Sequence, residues 1–260
     1  MLYAADMSLH VHLISGQAAL PFVHIHGWCC DHRAMLPVAE AFPEATHHLV
    51  DLPGHGQSTG PADLSIRTQA AAVLAAVPPA CLVVGHSMGG QIALEMAATA
   101  PQRIAGAILL DPAHIIATDK VRARGEALKR QLAEHDPAEI VRAFARAQLV
   151  GPVDEARFGP LVERMASTPA DTARRAWDAI MEYDGAEALA RLSVPTLVIA
   201  IDKPVNRLPD LARASKSITT AQVAASGHML QFEAMEQISA MIRRWMTVER
   251  IALGTSGGAV

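Results

Sequence analysis

The sequence predicts an α/β fold: a mostly parallel central sheet of about eight strands with helices on both faces and an inserted helical cap. Three observations carry this expectation. Short, nearly all-apolar β-branched runs alternate with longer segments of helical periodicity, as they do where strands buried on both faces lie between packed helices. At 260 residues, with 51% hydrophobic and 18% charged residues, the chain can bury a large core and is not a disordered tail. From 113 to about 187 the strand pattern stops, and segments rich in Arg, Glu and Ala replace it.

Taken in order, strands are expected at 9–14, 22–26, 47–51, 81–85, 104–110, 196–201 and 219–223, seven readable members of the sheet. Helices are expected at 33–41, 65–77, 88–98 and 232–245, the last with Ile238, Met241, Ile242 and Trp245 on one stripe. Within 113–187, helical segments are punctuated by Asp136-Pro137, Gly151-Pro152 and Thr168-Pro169-Ala170-Asp171, each a turn or a helix start. About 75 helical residues between two strands are too many for a simple crossover, so they are expected to sit over the sheet edge. The core is therefore expected to comprise 1–112 and 188–250, the cap 113–187, and a flexible tail 251–260.

Charge and cysteine content narrow the function. A net charge of −4 with scattered cations gives no general attraction to nucleic acid. No apolar run reaches the length needed to span a bilayer, and no Lys or Arg precedes Arg33 to open a secretory signal, so a cytoplasmic location is expected. Cys29, Cys30 and Cys81 cannot form a disulfide framework and read as buried fillers. Of the 12 histidines, His24 with His26 and His10 with His12 would share strand faces. With no His-Glu-x-x-His helix and no carboxylate cluster, no metal is expected.

The most informative stretch is Cys81 to Gly90, an apolar strand running through Gly85-His86-Ser87-Met88-Gly89 into a helix. A Gly-x-Ser-x-Gly turn in this setting is a nucleophile elbow: a sharp bend that lifts the serine hydroxyl clear of the strand end, with a helix N-terminus behind it. Ser87 is thus the candidate nucleophile. His86 beside it reads as a pocket residue rather than a base.

Here the chain resembles the α/β-hydrolase superfamily over nearly its whole length. The likeness is carried by His26-Gly27-Trp28, by Asp51-Leu52-Pro53-Gly54-His55-Gly56-Gln57-Ser58, by the elbow itself, and by Gly227-His228-Met229. The resemblance implies that the backbone N–H groups of Trp28 and Met88 form an oxyanion hole and that the Asp51 to Ser58 stretch is a structural turn. It also implies that His228, in the loop after the last strand, is the base for Ser87. The acid that orients His228 stays open. The usual position, about nine residues beyond Pro195, is held by Pro204, leaving Asp202 as one candidate. Asp111, at the end of the strand that follows the nucleophile helix, is the other and is favoured.

The function expected is hydrolysis of a small to medium carboxylic ester or lactone through an acyl-enzyme, with no cofactor. The pocket is expected to include His26, His86, Phe144 and Trp177, with Phe158 and Tyr183 as further aromatics of the cap. A small-molecule substrate is the expected partner, with a homodimer as a candidate assembly. Three alternatives share the scaffold: a cofactor-independent dioxygenase of quinolone rings, which Trp28 to Arg33 resembles, a C–C bond hydrolase, and a ligand-binding receptor of low turnover.

Overall fold

The computed structural model describes residues 9–60 and 63–254. Its sheet has seven strands among these residues rather than eight: β1 (Val11–Ile14), β2 (Phe22–Ile25), β3 (His47–Val50), β4 (Cys81–His86), β5 (Ile104–Leu110), β6 (Thr196–Ala200) and β7 (Ile218–Gln222). The order is β1-β3-β2-β4-β5-β6-β7, with β1 antiparallel to β3 and every other pair parallel. Strands β2, β4 and β6 are buried along their whole length, which is why their sequences are mostly apolar rather than alternating, with His24, His86 and Thr196 buried among the apolar residues.

The helices α1 (Leu36–Glu40), α2 (Ile66–Ala76), α3 (Met88–Thr99), α9 (Leu208–Ala214), α10 (Leu230–Glu233) and α11 (Met235–Val248) alternate with the strands. A 3-10 turn, His32–Met35, precedes α1, so the helix expected at 33–41 is two short pieces. The segment expected at 232–245 is likewise broken at Ala234, between α10 and α11. Two apolar clusters pack the sheet. One, around Val23, Val83 and Leu109, carries α2 and α3; the other, around Leu82, Ile108 and Ile199, carries α11 through Ile238, Ile242 and Trp245.

Between β5 and β6 lie α4 (Asp119–Glu134), α5 (Pro137–Ala147), α6 (Glu155–Ala166), α7 (Ala170–Glu182) and α8 (Ala186–Arg191). Their starts follow the punctuation of the sequence. Asp136 caps α5 by accepting from the Ala138 N–H with Pro137 at the first helical position, and Asp154 caps α6 in the same way. Of the expected tail 251–260, residues 251–254 turn back on the core: the Leu20 N–H donates to the Leu253 carbonyl at 2.8 Å. Residues 255–260 lie outside the described residues.

Buried histidines occupy the interior beside the first three strands. His47 Nε2 donates to the Phe42 carbonyl at 2.8 Å, so its Nδ1 accepts from His24 Nε2 at 2.9 Å, and both rings are neutral. Burial pushes the pKa of His24 well below its ordinary value, and that of His55 and of His86 down to about 3. As the pH falls, the unfolded chain therefore takes up these protons before the folded one does. Stability is full above about pH 6.5 and declines below it, with His55 and His86 each adding to the decline until they titrate. Urea midpoints should fall steeply between about pH 7 and about pH 5; a flat profile would contradict this reading.

Candidate active site

The turn from β4 into α3 is as tight as its glycines predict. A Cβ on Gly85 would lie 2.0 Å from the Gly89 carbonyl oxygen, and one on Gly89 would lie 2.2 Å from that of Ile25, so neither position admits a side chain. The bend places Ser87 at φ 55°, ψ −114°, a strained backbone for a residue with a Cβ. The same strain is what projects its hydroxyl out of the sheet edge.

The Ser87 hydroxyl lies 2.9 Å from His228 Nε2, and His228 Nδ1 lies 2.6 Å from Asp111 Oδ2. The carboxylate accepts the Nδ1 proton, so Nε2 presents its lone pair to Ser87. Asp111 ends β5, has a φ of 37°, and is 4% exposed. Its Oδ1 has no hydrogen-bond partner among the described residues. Asp202, the other candidate acid, is exposed; its backbone carbonyl accepts from the Gln222 side chain, and its carboxylate is not a partner of His228.

The loop after β6 serves Asp111 differently. Asn206, 6% exposed, accepts from the Ile115 N–H at 2.7 Å and donates to the Pro112 and Ala113 carbonyls at 2.8 and 3.1 Å. It thereby fixes the chain leaving Asp111. Two more residues that sequence reasoning missed hold the His228 loop. Glu233 accepts from the N–H groups of Gly227, Val150 and Gly151, and the His228 N–H donates to the Gln148 carbonyl, tying the loop to the end of α5. His86 Nε2 donates to the His228 carbonyl at 2.8 Å. Burial first, and then the neighbouring His228, hold His86 neutral, so it anchors rather than titrates.

Neither the Trp28 nor the Met88 backbone N–H has an acceptor among the described residues. The Trp28 side chain has a separate task. Its Nε1 donates to the Ala173 carbonyl in α7 at 2.8 Å, and its ring meets Phe144 and Trp177 with centroids 5.2 Å away in each case.

Ser87, His228 and Asp111 open into a cavity of about 410 Å³, within the lower range of small-molecule sites. Its roof comes from the inserted helices, through Leu128 of α4, Phe144 of α5, Met165 of α6, and Trp177 and Met181 of α7. His86, Phe144 and Trp177 are among its lining residues. His26 is not: it is fully buried, its Nδ1 donating to the Gly27 carbonyl and its Nε2 accepting from the Leu52 N–H, so both ring nitrogens are spent on structure. Phe158 and Tyr183 are also absent from the cavity lining: Phe158 packs on Phe232 of α10, and the Tyr183 hydroxyl donates to Glu95 of α3 at 3.1 Å. The thiol of Cys30, at the cavity wall, is pushed up to about 12 by burial and offers no competing nucleophile at neutral pH.

Comparison with known proteins bears on this arrangement. The sequence profile of the alpha/beta hydrolase family matches residues 22–241, from β2 into α11. The chain belongs to the alpha/beta hydrolase family. As a member, it resembles the biotin biosynthesis bifunctional protein BioHC of Cellvibrio japonicus, with 26% identity over 235 residues, which is 85% of this chain and 46% of that protein. It also resembles the pimeloyl-[acyl-carrier protein] methyl ester esterase of Serratia marcescens, with 38% identity over 93 residues, 36% of each chain. The matches thus span less than half the length of these curated relatives. Among solved structures, an esterase from Exiguobacterium antarcticum superimposes with a TM-score of 0.83 at 17% identity, covering 94% of this chain and 97% of the other, a likeness of fold. No helix among the described residues is long and apolar enough to cross a membrane.

Proposed function

We propose that this hydrolase cleaves a small to medium carboxylic ester or lactone through an acyl-enzyme on Ser87. The observation that carries the reading is the unbroken hydrogen-bond chain from Ser87 Oγ through His228 to Asp111 at the floor of a roofed apolar cavity. His228 Nε2 takes the hydroxyl proton as Ser87 Oγ attacks the carbonyl carbon, and Asp111 stabilises the imidazolium without itself taking the proton. The Trp28 and Met88 amides, unpaired in the structure, hold the oxyanion. His228 then returns its proton to the departing alcohol, and the same histidine activates the water that releases the acid. Every step uses groups of this chain and water.

The inserted helices act as a cap that keeps bulk water from the acyl-enzyme and sets the acyl pocket. The relatives named as methyl ester esterases favour an acyl methyl ester over a bulky alkyl leaving group. The cavity volume and its Leu, Met and aromatic walls favour an acyl chain of moderate length. A series of methyl esters of increasing chain length tests this. The kcat/KM should rise with chain length, peak, and fall once the chain outgrows the cavity. A flat series, or activity confined to quinolone rings with oxygen uptake, would overturn the assignment.

A further inference from the structure

Outside the cavity, the structure assembles three imidazoles that the sequence leaves apart. His10 and His12 share one face at the start of the edge strand β1, and His32 comes from the 3-10 turn after β2. One ring nitrogen from each lies within 4.8 Å of the other two. The ring of His32 lies 5.3 Å from that of His10 and 5.0 Å from that of His12, centroid to centroid. We propose that His10, His12 and His32 bind a divalent first-row transition ion of the Zn²⁺ type, which clasps the edge strand to the loop that follows β2.

The ligand chemistry fits. Neutral imidazole is a favoured ligand of Zn²⁺, Ni²⁺ and Cu²⁺, and three of them leave a position for water. Nitrogens bound to Zn²⁺ at about 2.05 Å in tetrahedral geometry stand about 3.3 Å apart, so the three need to close by no more than about 1.5 Å. His12, exposed but stacked on His32 with the ring planes 20° apart, must also turn its ring so that its lone pair converges with that of His32.

The surroundings also hold the other two ligands in place. His32 Nδ1 donates to Asp51 Oδ1 at 2.8 Å, and the His32 backbone N–H donates to the same oxygen at 2.7 Å. This fixes the tautomer and leaves Nε2 unprotonated, as in the carboxylate–histidine–metal arrangement that orients ligands in metal sites. The His10 backbone is pinned on both sides, its N–H donating to Ser58 Oγ at 2.8 Å and its carbonyl accepting from the Asp51 N–H at 2.9 Å. The Asp51 to Ser58 turn thus serves two of the three ligands.

For His12, the slight desolvation of its ring, then His32 and His10, lower the pKa and favour the unprotonated state. The nearest cation, Arg33, is engaged by Asp31 at 2.7 Å. The Gln57 side-chain amide, 3.1 Å from His10 Nε2, is an exposed contact that a metal displaces at little cost. None of the three histidines lines the cavity that holds Ser87, so this site is independent of the ester chemistry.

The test is a Co²⁺ titration of chelator-stripped full-length protein followed by its visible absorption, with Zn²⁺ as competitor. Wild type and the surface control His135→Gln should bind one Co²⁺ per chain, displaced by one Zn²⁺. His12→Gln and His10→Gln should each bind at least about tenfold more weakly, with labelling of Ser87 by a fluorophosphonate unchanged. Histidine-selective NMR of the wild type supplies a reading that needs no variant: Zn²⁺ should shift the rings of His10, His12 and His32 and leave His228 unmoved. Wild-type affinity in both variants, no stoichiometric binding by wild type, or shifts confined to other histidines would overturn the proposal.

Discussion

Ser87→Ala is expected to fold like the wild type and to lose about six orders of magnitude in kcat on any ester the enzyme turns over, the loss typical when the nucleophile of a coupled triad is removed. The substitution deletes one hydroxyl at a partly exposed position and keeps the backbone that Gly85 and Gly89 permit, so no large change in stability accompanies it. What disappears is the only atom that His228 Nε2 is placed to activate at 2.9 Å. Residual turnover would be due to the oxyanion donors and the cavity acting on water. Unfolding curves run beside the kinetics separate loss of chemistry from loss of fold.

The two aspartates should behave in opposite ways. Asp111→Asn is expected to cost about four orders of magnitude in kcat with the fold retained. Asparagine carries no charge to stabilise the imidazolium, and its NH₂, if turned to Nδ1, moves the histidine proton to Nε2, where a lone pair is needed. Asp202→Asn alters an exposed side chain with no link to His228, and activity should stay within about twofold. Near-parental turnover in Asp111→Asn with a collapse in Asp202→Asn would reverse the assignment of the acid.

Much of this was legible in the sequence where one local rule dominates. The central strands β4, β5 and β6 are visible because burial on both faces leaves nearly continuous apolar runs, while the edge strands β1 and β7 are visible only through their β-branched residues, and the elbow is visible because only glycine fits within 2.0 Å of a facing carbonyl. The break before α5 is visible because Asp136 caps the helix with Pro137 at its first position, whereas the Asp154 cap of α6 emerges only in the structure. What stayed hidden depends on distant register. Counting from Pro195 lands on Pro204, but the loop after β6 folds so that Asn206 braces the chain beyond Asp111, and the acid that reaches His228 is Asp111 rather than one of that loop.

His26 looked like a pocket residue because it follows β2 beside Trp28. The structure shows instead that a histidine can be fully spent on two backbone groups. Glu233 gave no signal as the support of the His228 loop, since its three backbone partners lie 6, 82 and 83 positions away. The same holds for His32, which joins His10 and His12 through a turn that local periodicity does not encode.

The most direct test of the account is to catch the acyl group on the chain. With a slowly deacylated aryl ester, rapid mixing should release one equivalent of alcohol per chain in an initial burst, and mass analysis should place the acyl increment on the peptide bearing Ser87. Steady turnover of that ester with no burst and no increment on Ser87, or an unchanged rate in Ser87→Ala, would contradict it.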